Sequence, residues 1–267
     1  MTITEDVPPE ISGHPAHRAH KLKLVATDDR QFRCDGCMER GVGTRYRCEY
    51  ERCNFDLHTC CAVAPATLKH PLFGDRAFVF LLEPPATTGG KGEGRSRRRS
   101  RVCDACGEDV RGFVYHCFEA DLDLHPCCAH LQELMLQDGQ VLKLRREASR
   151  PCGMCGRNGR RSNFWAYRIS WEGEAVDLHV ACMTEMARLS WDAEYQNRVG
   201  GGQIVQPRGL TADDMLKSLP SRTRRSSGFQ QFCRIVSVVL SVIVAVIFGN
   251  PMAMIAAVAG PGGFLRG

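Results

Sequence analysis

Three times along the chain a Cys-x2-Cys pair is followed by Asp-Leu-His and then by a cysteine three residues beyond the histidine. The pairs are Cys34/Cys37, Cys103/Cys106 and Cys152/Cys155, and the matching runs are 56–61, 123–128 and 177–182. The spacing between copies is about 50–70 residues, the signature of an internal repeat of small units. Each unit must fix a sharp two-cysteine turn against a second element that carries a histidine and a further cysteine. Few kinds of fold accept that demand.

Composition narrows the choice. Aromatic residues are 7% of the 267, while Gly and Pro number 26 and 13, so large cores are poorly supplied and several small units are expected. The chain carries 15 Cys and 9 His, a content that suits either disulfides or metal. Its first residues, MTITEDVPPEISG, have neither a basic start nor an apolar run and do not read as a signal peptide. A reducing, cytosol-facing compartment is the expectation. There, clustered cysteines with histidines point to metal, because disulfides seldom persist.

Structural zinc takes four thiolate or neutral imidazole donors in a tetrahedron. In the first unit eight donors stand in order: His20, Cys34, Cys37, Cys48, Cys53, His58, Cys61 and His70, enough for two ions. Cys60 reads as a spare buried thiol. His14 and His17 read as exposed tail residues, either of which could replace His20. The second unit has Arg76 where the first histidine belongs and Ala120 in place of a middle cysteine. It keeps Cys103, Cys106, His125 and Cys128 for one ion, leaving Cys117 and Cys127 spare, with His116 and His130 as replacement donors. The third has Ile169 at the middle-cysteine position and keeps Cys152, Cys155, His179 and Cys182. About four Zn2+ per chain are expected.

The alternating run 20–26, with 46–48 and 113–117, predicts strands, and each histidine-led run should open a short helix. The expected fold is a tandem of small α+β zinc-held modules, which resemble C1-like or treble-clef domains, with a C-terminal apolar helix. The divisions are 14–73 (complete), 74–137 (degenerate, with a basic insertion at 86–101), 138–199 (reduced), 200–231 (linker) and 232–260 (apolar). Thr211 should cap a short helix inside the linker.

The donor series of the first unit resembles the divergent C1 domain of plants, a relative of the phorbol-ester/diacylglycerol-type zinc domain. The motifs around Trp165–Tyr167, 177–182 and Ser190–Trp191 extend the resemblance to the vacuoleless-gametophytes-like group. The resemblance implies cross-bracing, with His20, Cys48, Cys53 and Cys61 on one ion and Cys34, Cys37, His58 and His70 on the other. Four residues separate Cys48 from Cys53, where the family usually has two.

At the C-terminus, Ile235–Phe248 is apolar and uncharged, as is Met252–Ala259 beyond Asn250-Pro251. About 25 residues without charge suffice for a membrane span. Arg222, Arg224, Arg225 and Arg234 precede the run and would hold the zinc units on the cytoplasmic face of an endomembrane. Cys233 stands where juxtamembrane palmitoylation occurs. A re-entrant hairpin or a homo-oligomerising helix, in a soluble cytoplasmic or nuclear protein, is the alternative.

No nucleophile–base pair, phosphate loop or HExxH is present, so a non-catalytic scaffold for a protein partner is expected. The alternatives are a diacylglycerol-type lipid sensor, or a zinc- and redox-responsive protein with thiol–disulfide activity. The segment 38–47 is polar, which disfavours lipid insertion, and the donor order lacks the final Cys-x2-Cys of ubiquitin-ligase domains. The basic run 95–101 reads as a solvated linker rather than a nucleic-acid site.

Overall fold

The structure is a computed structural model. It describes residues 7–26, 31–86, 100–137, 140–157, 165–171 and 174–189, together with positions 236, 239, 243, 246 and 247. The chain divides into two compact units, one of residues 1–132 with 245–267 and one of residues 133–244.

Strand dominates the described residues. The first module is an antiparallel sheet of β1 (Glu10–Ile11), β2 (Leu22–Val25), β5 (Arg45–Cys48) and β6 (Asp56–His58), in the order β1-β2-β5-β6. A separate hairpin, β3 (Gln31–Arg33) with β4 (Arg40–Val42), flanks its Cys-x2-Cys turn. The second sheet takes β7 (Thr67–Lys69), β8 (Ala77–Leu81), β9 (Val114–Cys117) and β10 (Leu122–Leu124) in the order β10-β9-β8-β7. The third takes β11 (Leu134–Gln137), β12 (Gln140–Arg145), β13 (Ala166–Trp171) and β14 (Glu174–His179). Each later sheet therefore begins upstream of the division read from the donor pattern, because its first strand precedes the donors. Helix is scarce: α1 (Thr59–Ala62), two 3-10 turns at Pro71–Phe73 and Cys128–His130, and a helix over 180–189.

Register exposes the repeat. Tyr46 faces Leu57, Tyr115 faces Leu124 and Tyr167 faces Leu178, and all six side chains are fully buried. Leu22 pairs with Cys48 and Leu142 with Ile169, so Ile169 holds the register of the first module's middle cysteine. The Tyr46 and Tyr115 hydroxyls donate to the carbonyls of Pro8 and Pro65.

Each core is small. Leu22, Tyr46 and Leu57 anchor the first; Phe78, Tyr115, Leu124 and Leu131 the second; Leu142, Leu144, Trp165 and Tyr167 the third. At roughly 1.5–3 kcal/mol for each large apolar side chain, such cores leave the modules dependent on other ties. One tie is between modules one and two. Phe113 packs into the first module's apolar cluster, and its amide donates to the Gly36 carbonyl at 2.9 Å.

Of the C-terminal run, Val236, Val239, Ile243, Val246 and Ile247 are described and helical, and all but Val246 are buried. No helix among the described residues is long and apolar enough to cross a membrane. The rest of that run, the helix expected at Thr211 and residues 87–99 of the basic insertion lie outside the described residues. Arg101, at the insertion's end, bonds Asp123 at 2.6 Å, Asp121 at 2.9 Å and the Pro85 carbonyl.

Candidate metal centres

The three Cys-x2-Cys turns are built alike. The amides of Met38, Gly107 and Gly156 donate to the carbonyls of Cys34, Cys103 and Cys152 at 2.8–2.9 Å. All three donating residues have positive φ, at 64°, 79° and 67°. Glycine accepts this conformation freely in modules two and three, whereas Met38 adopts it with a Cβ in place. Each turn then docks on the strand that carries the histidine. Asp35 and Asp104 accept from the amides of Asp56 and Asp123 at 2.7 Å, and the Gly153 amide donates to the Asp177 carbonyl.

This scaffold closes one four-donor group per module: Cys34, Cys37, His58 and Cys61; Cys103, Cys106, His125 and Cys128; Cys152, Cys155, His179 and Cys182. Within each group the donor atoms lie within 4.8 Å of one another. His58 points Nδ1 at the sulfurs, 3.3 Å from Cys37 and 3.9 Å from Cys61, while Nε2 bonds the Arg40 carbonyl. His125 repeats this, with Nε2 on the Asp109 carbonyl. A carbonyl on the far nitrogen fixes the tautomer that presents a lone pair to a metal. In the third group His179 Nε2 is buried without a hydrogen-bond partner, Cys155 is exposed and Cys182 half-buried.

The electrostatics suit a cation. Burial pushes the Cys34 thiol up, but hydrogen bonds from Cys37 and Cys61 and the His58 charge bring it well below the ordinary range. Burial depresses His58, yet the thiolate charge of Cys34 and Cys37 raises it far above the usual imidazole range. Cys103 and His125 behave the same way. Cys152 falls to about 3, chiefly through its hydrogen bond with Cys182. Protons shared among such donors are what a divalent cation displaces.

A fourth group is confined to the first module: His17, His20, Cys48 and Cys53. His17 Nε2 lies 3.6 Å from the Cys53 sulfur, and His20 Nδ1 is buried with no hydrogen-bond partner. The two imidazoles are braced by stacking, His17 on Phe55 and His20 on Tyr50, at 4.3 and 4.0 Å.

Two parts of the sequence expectation change here. Cys61 joins Cys34, Cys37 and His58 rather than His20, Cys48 and Cys53. His70 joins no four-donor group among the described residues: its Nδ1 accepts from the Leu72 amide at 3.2 Å and its Nε2 bonds the Leu131 carbonyl at 2.9 Å. Its counterpart is His14, also buried, whose Nδ1 accepts from the Ala16 amide at 3.2 Å. The His-Pro pairs at 14 and 70 therefore align, setting Phe73 against His17 and Arg76 against His20. With Ala120 opposite Cys53, the second module replaces this group by apolar packing, Phe73 against Phe78. His17, read from the sequence as an exposed tail residue that could replace His20, instead joins His20 in this group. His116 is held by Asp123 at 2.9 Å instead of serving as a replacement donor. Cys60, expected as a free thiol, is bonded to Cys127.

A sequence profile of the family described as C1 domain matches residues 15–62 and 91–129, about a third of the chain. The chain carries C1-like domains. These segments hold every residue of the fourth group and of the groups in modules one and two; the third module lies outside both. The donor sets are compatible with zinc binding. No curated protein and no solved structure matches the chain at a significant level.

Proposed function

We propose that this chain is a non-catalytic zinc-held scaffold of the plant divergent C1 type, recruiting a protein partner through the outer faces of its modules. One observation carries the reading: each of the four groups offers four Cys/His donor atoms within 4.8 Å of one another, the number and kind a closed structural zinc site uses. The donors would be His17, His20, Cys48 and Cys53; Cys34, Cys37, His58 and Cys61; Cys103, Cys106, His125 and Cys128; and Cys152, Cys155, His179 and Cys182. Zinc there supplies fold.

The contact surface proposed is at the turn tips. Tyr50 and Phe118 occupy the β5–β6 and β9–β10 turns and are 62% and 64% exposed. Beside Tyr50 an open groove of about 690 Å³ is lined by Arg47, Glu49, Arg52 and Asn54. Exposed aromatics flanked by charge are typical anchors of protein contacts. The apolar residues 235–259 would hold the assembly at the cytoplasmic face of an endomembrane or join copies of the chain. A lipid sensor of the diacylglycerol type is the second reading, favoured by the C1-like segments.

The test is cross-linking of the zinc-loaded chain in cells, with and without Tyr50→Glu and Phe118→Glu. Loss of one discrete protein adduct, with zinc retained, supports the scaffold. Adducts unchanged by both substitutions overturn it. Diacylglycerol-dependent vesicle binding that both substitutions abolish favours the lipid reading.

A further inference from the structure

Cys60 and Cys127 occupy the same place in the first two repeats, immediately before the last donor, where the third repeat has Ala181. Neither is needed to complete a four-donor group, since Cys61 and Cys128 fill those positions. The structure nevertheless joins them in a disulfide across 67 residues, linking module one to module two. Their Cα atoms stand 5.6 Å apart, within the roughly 4.4–6.8 Å that bonded cysteines span. Cys127 is buried to 2% exposure, whereas Cys60 on α1 is half-buried and is the more exposed residue of the pair.

Two features distinguish this pair from the other sulfurs. It is the only disulfide among the described residues, in a chain whose other described cysteines are free thiols, all but Cys117 within four-donor groups. It also lies against the metal donors without consuming one: His58, Cys60, Cys61 and Cys127 have donor atoms within 4.8 Å of one another. The module contact does not depend on the bond alone. The Phe113 amide on the Gly36 carbonyl, and the Phe113 ring against Gly36, keep the same surfaces together. A cleaved pair would therefore stay placed to close again.

We propose that Cys60 and Cys127 form a reversible thiol–disulfide site, separate from the metal donors, that covalently couples the first two modules. The oxidant is a low-molecular-weight disulfide of the glutathione class. The Cys60 thiolate attacks one sulfur of that disulfide, forming a mixed disulfide and releasing one small thiolate. Cys127, as its thiolate, then attacks the Cys60 sulfur, forming the protein bond and releasing the second small thiolate. Two electrons pass from the protein pair to the small disulfide, and the two protons lost by Cys60 and Cys127 are taken up by the released thiolates. Excess small thiol reverses both steps.

The test equilibrates the zinc-loaded full chain in buffers of varied glutathione to glutathione-disulfide ratio, traps free thiols by alkylation and maps linked peptides by mass spectrometry. Zinc per chain is measured in parallel. The expected result is a Cys60–Cys127 linked peptide that rises at least tenfold across the series, falls again on return to reducing buffer and leaves zinc unchanged. Cys60→Ser and Cys127→Ser should each remove that peptide and keep the zinc. The wild-type map needs no variant, so a misfolded substitution does not decide the matter. Linkage that appears only as zinc is lost overturns the proposal, as do random pairing with donor cysteines and a bond that glutathione cannot reduce. A chain that binds no zinc yet forms the bond reversibly would refute the scaffold reading and leave this one standing.

Discussion

Gly112→Ala probes the join between modules one and two with the least chemical change. A Cβ at position 112 would lie 2.0 Å from the Gly36 carbonyl oxygen and 3.2 Å from its carbon. The obstacle is backbone, so no rotamer relieves it. The segment must retreat by about 1.4 Å to reach ordinary contact, and that movement stretches the 2.9 Å bond from the Phe113 amide to the same oxygen. Overpacking costs about 1–3 kcal/mol and the lost hydrogen bond about 0.5–1.5 kcal/mol, so a loss of about 2–4 kcal/mol is expected. Denaturant unfolding with zinc in excess measures it. Gly36→Ala is the companion, because its Cβ would meet two Phe113 ring carbons at 2.5 Å. Its penalty should shrink when Phe113→Ala is already present, giving a non-additive double-mutant cycle. A Gly112→Ala change within about 0.5 kcal/mol of wild type, with an additive cycle, would refute the packed join.

His17→Ala should remove one zinc per chain while His70→Gln leaves the count intact and lowers stability, and metal analysis of both variants separates them. Asp177 is fully buried and accepts from the Ser149 and Arg150 amides and from Arg168 at 2.7 Å. Asp177→Ala should therefore destabilise the third module by about 3–5 kcal/mol in thermal unfolding. Burial pushes the Tyr46 phenol up from its ordinary 10.0 to about 12. Because the folded value is raised, the stability it contributes is complete below pH 10 and is lost as pH climbs toward 12, which unfolding at stepped alkaline pH will register.

How far the fold and its donors could be read in advance depended on which residues repeat visibly. The Cys-x2-Cys and Asp-Leu-His-x2-Cys motifs lie at both ends of one docking interaction, so Cys103, Cys106, His125 and Cys128 could be grouped by spacing alone, as could Cys152, Cys155, His179 and Cys182. Ile169 could be recognised as a lost middle position because strand register preserves it opposite Leu142. The first module was harder, since three histidines fall within seven residues and spacing does not say which imidazole turns inward. That choice is made by the local His14 cap on the Ala16 amide and by stacking on Phe55 and Tyr50, the last two being contacts between segments far apart in the chain. His70 was misread for the same reason: its Leu131 carbonyl partner is 61 residues away. The Cys60–Cys127 bond depends on how two modules meet, which no local pattern encodes.

The most direct test of the account is the amount of zinc bound by the purified full chain, by elemental analysis against protein concentration. Four per chain, falling to three in His17→Ala, is the predicted result. A count near zero would contradict the metal-held fold, and a count of two would remove metal from two of the four groups.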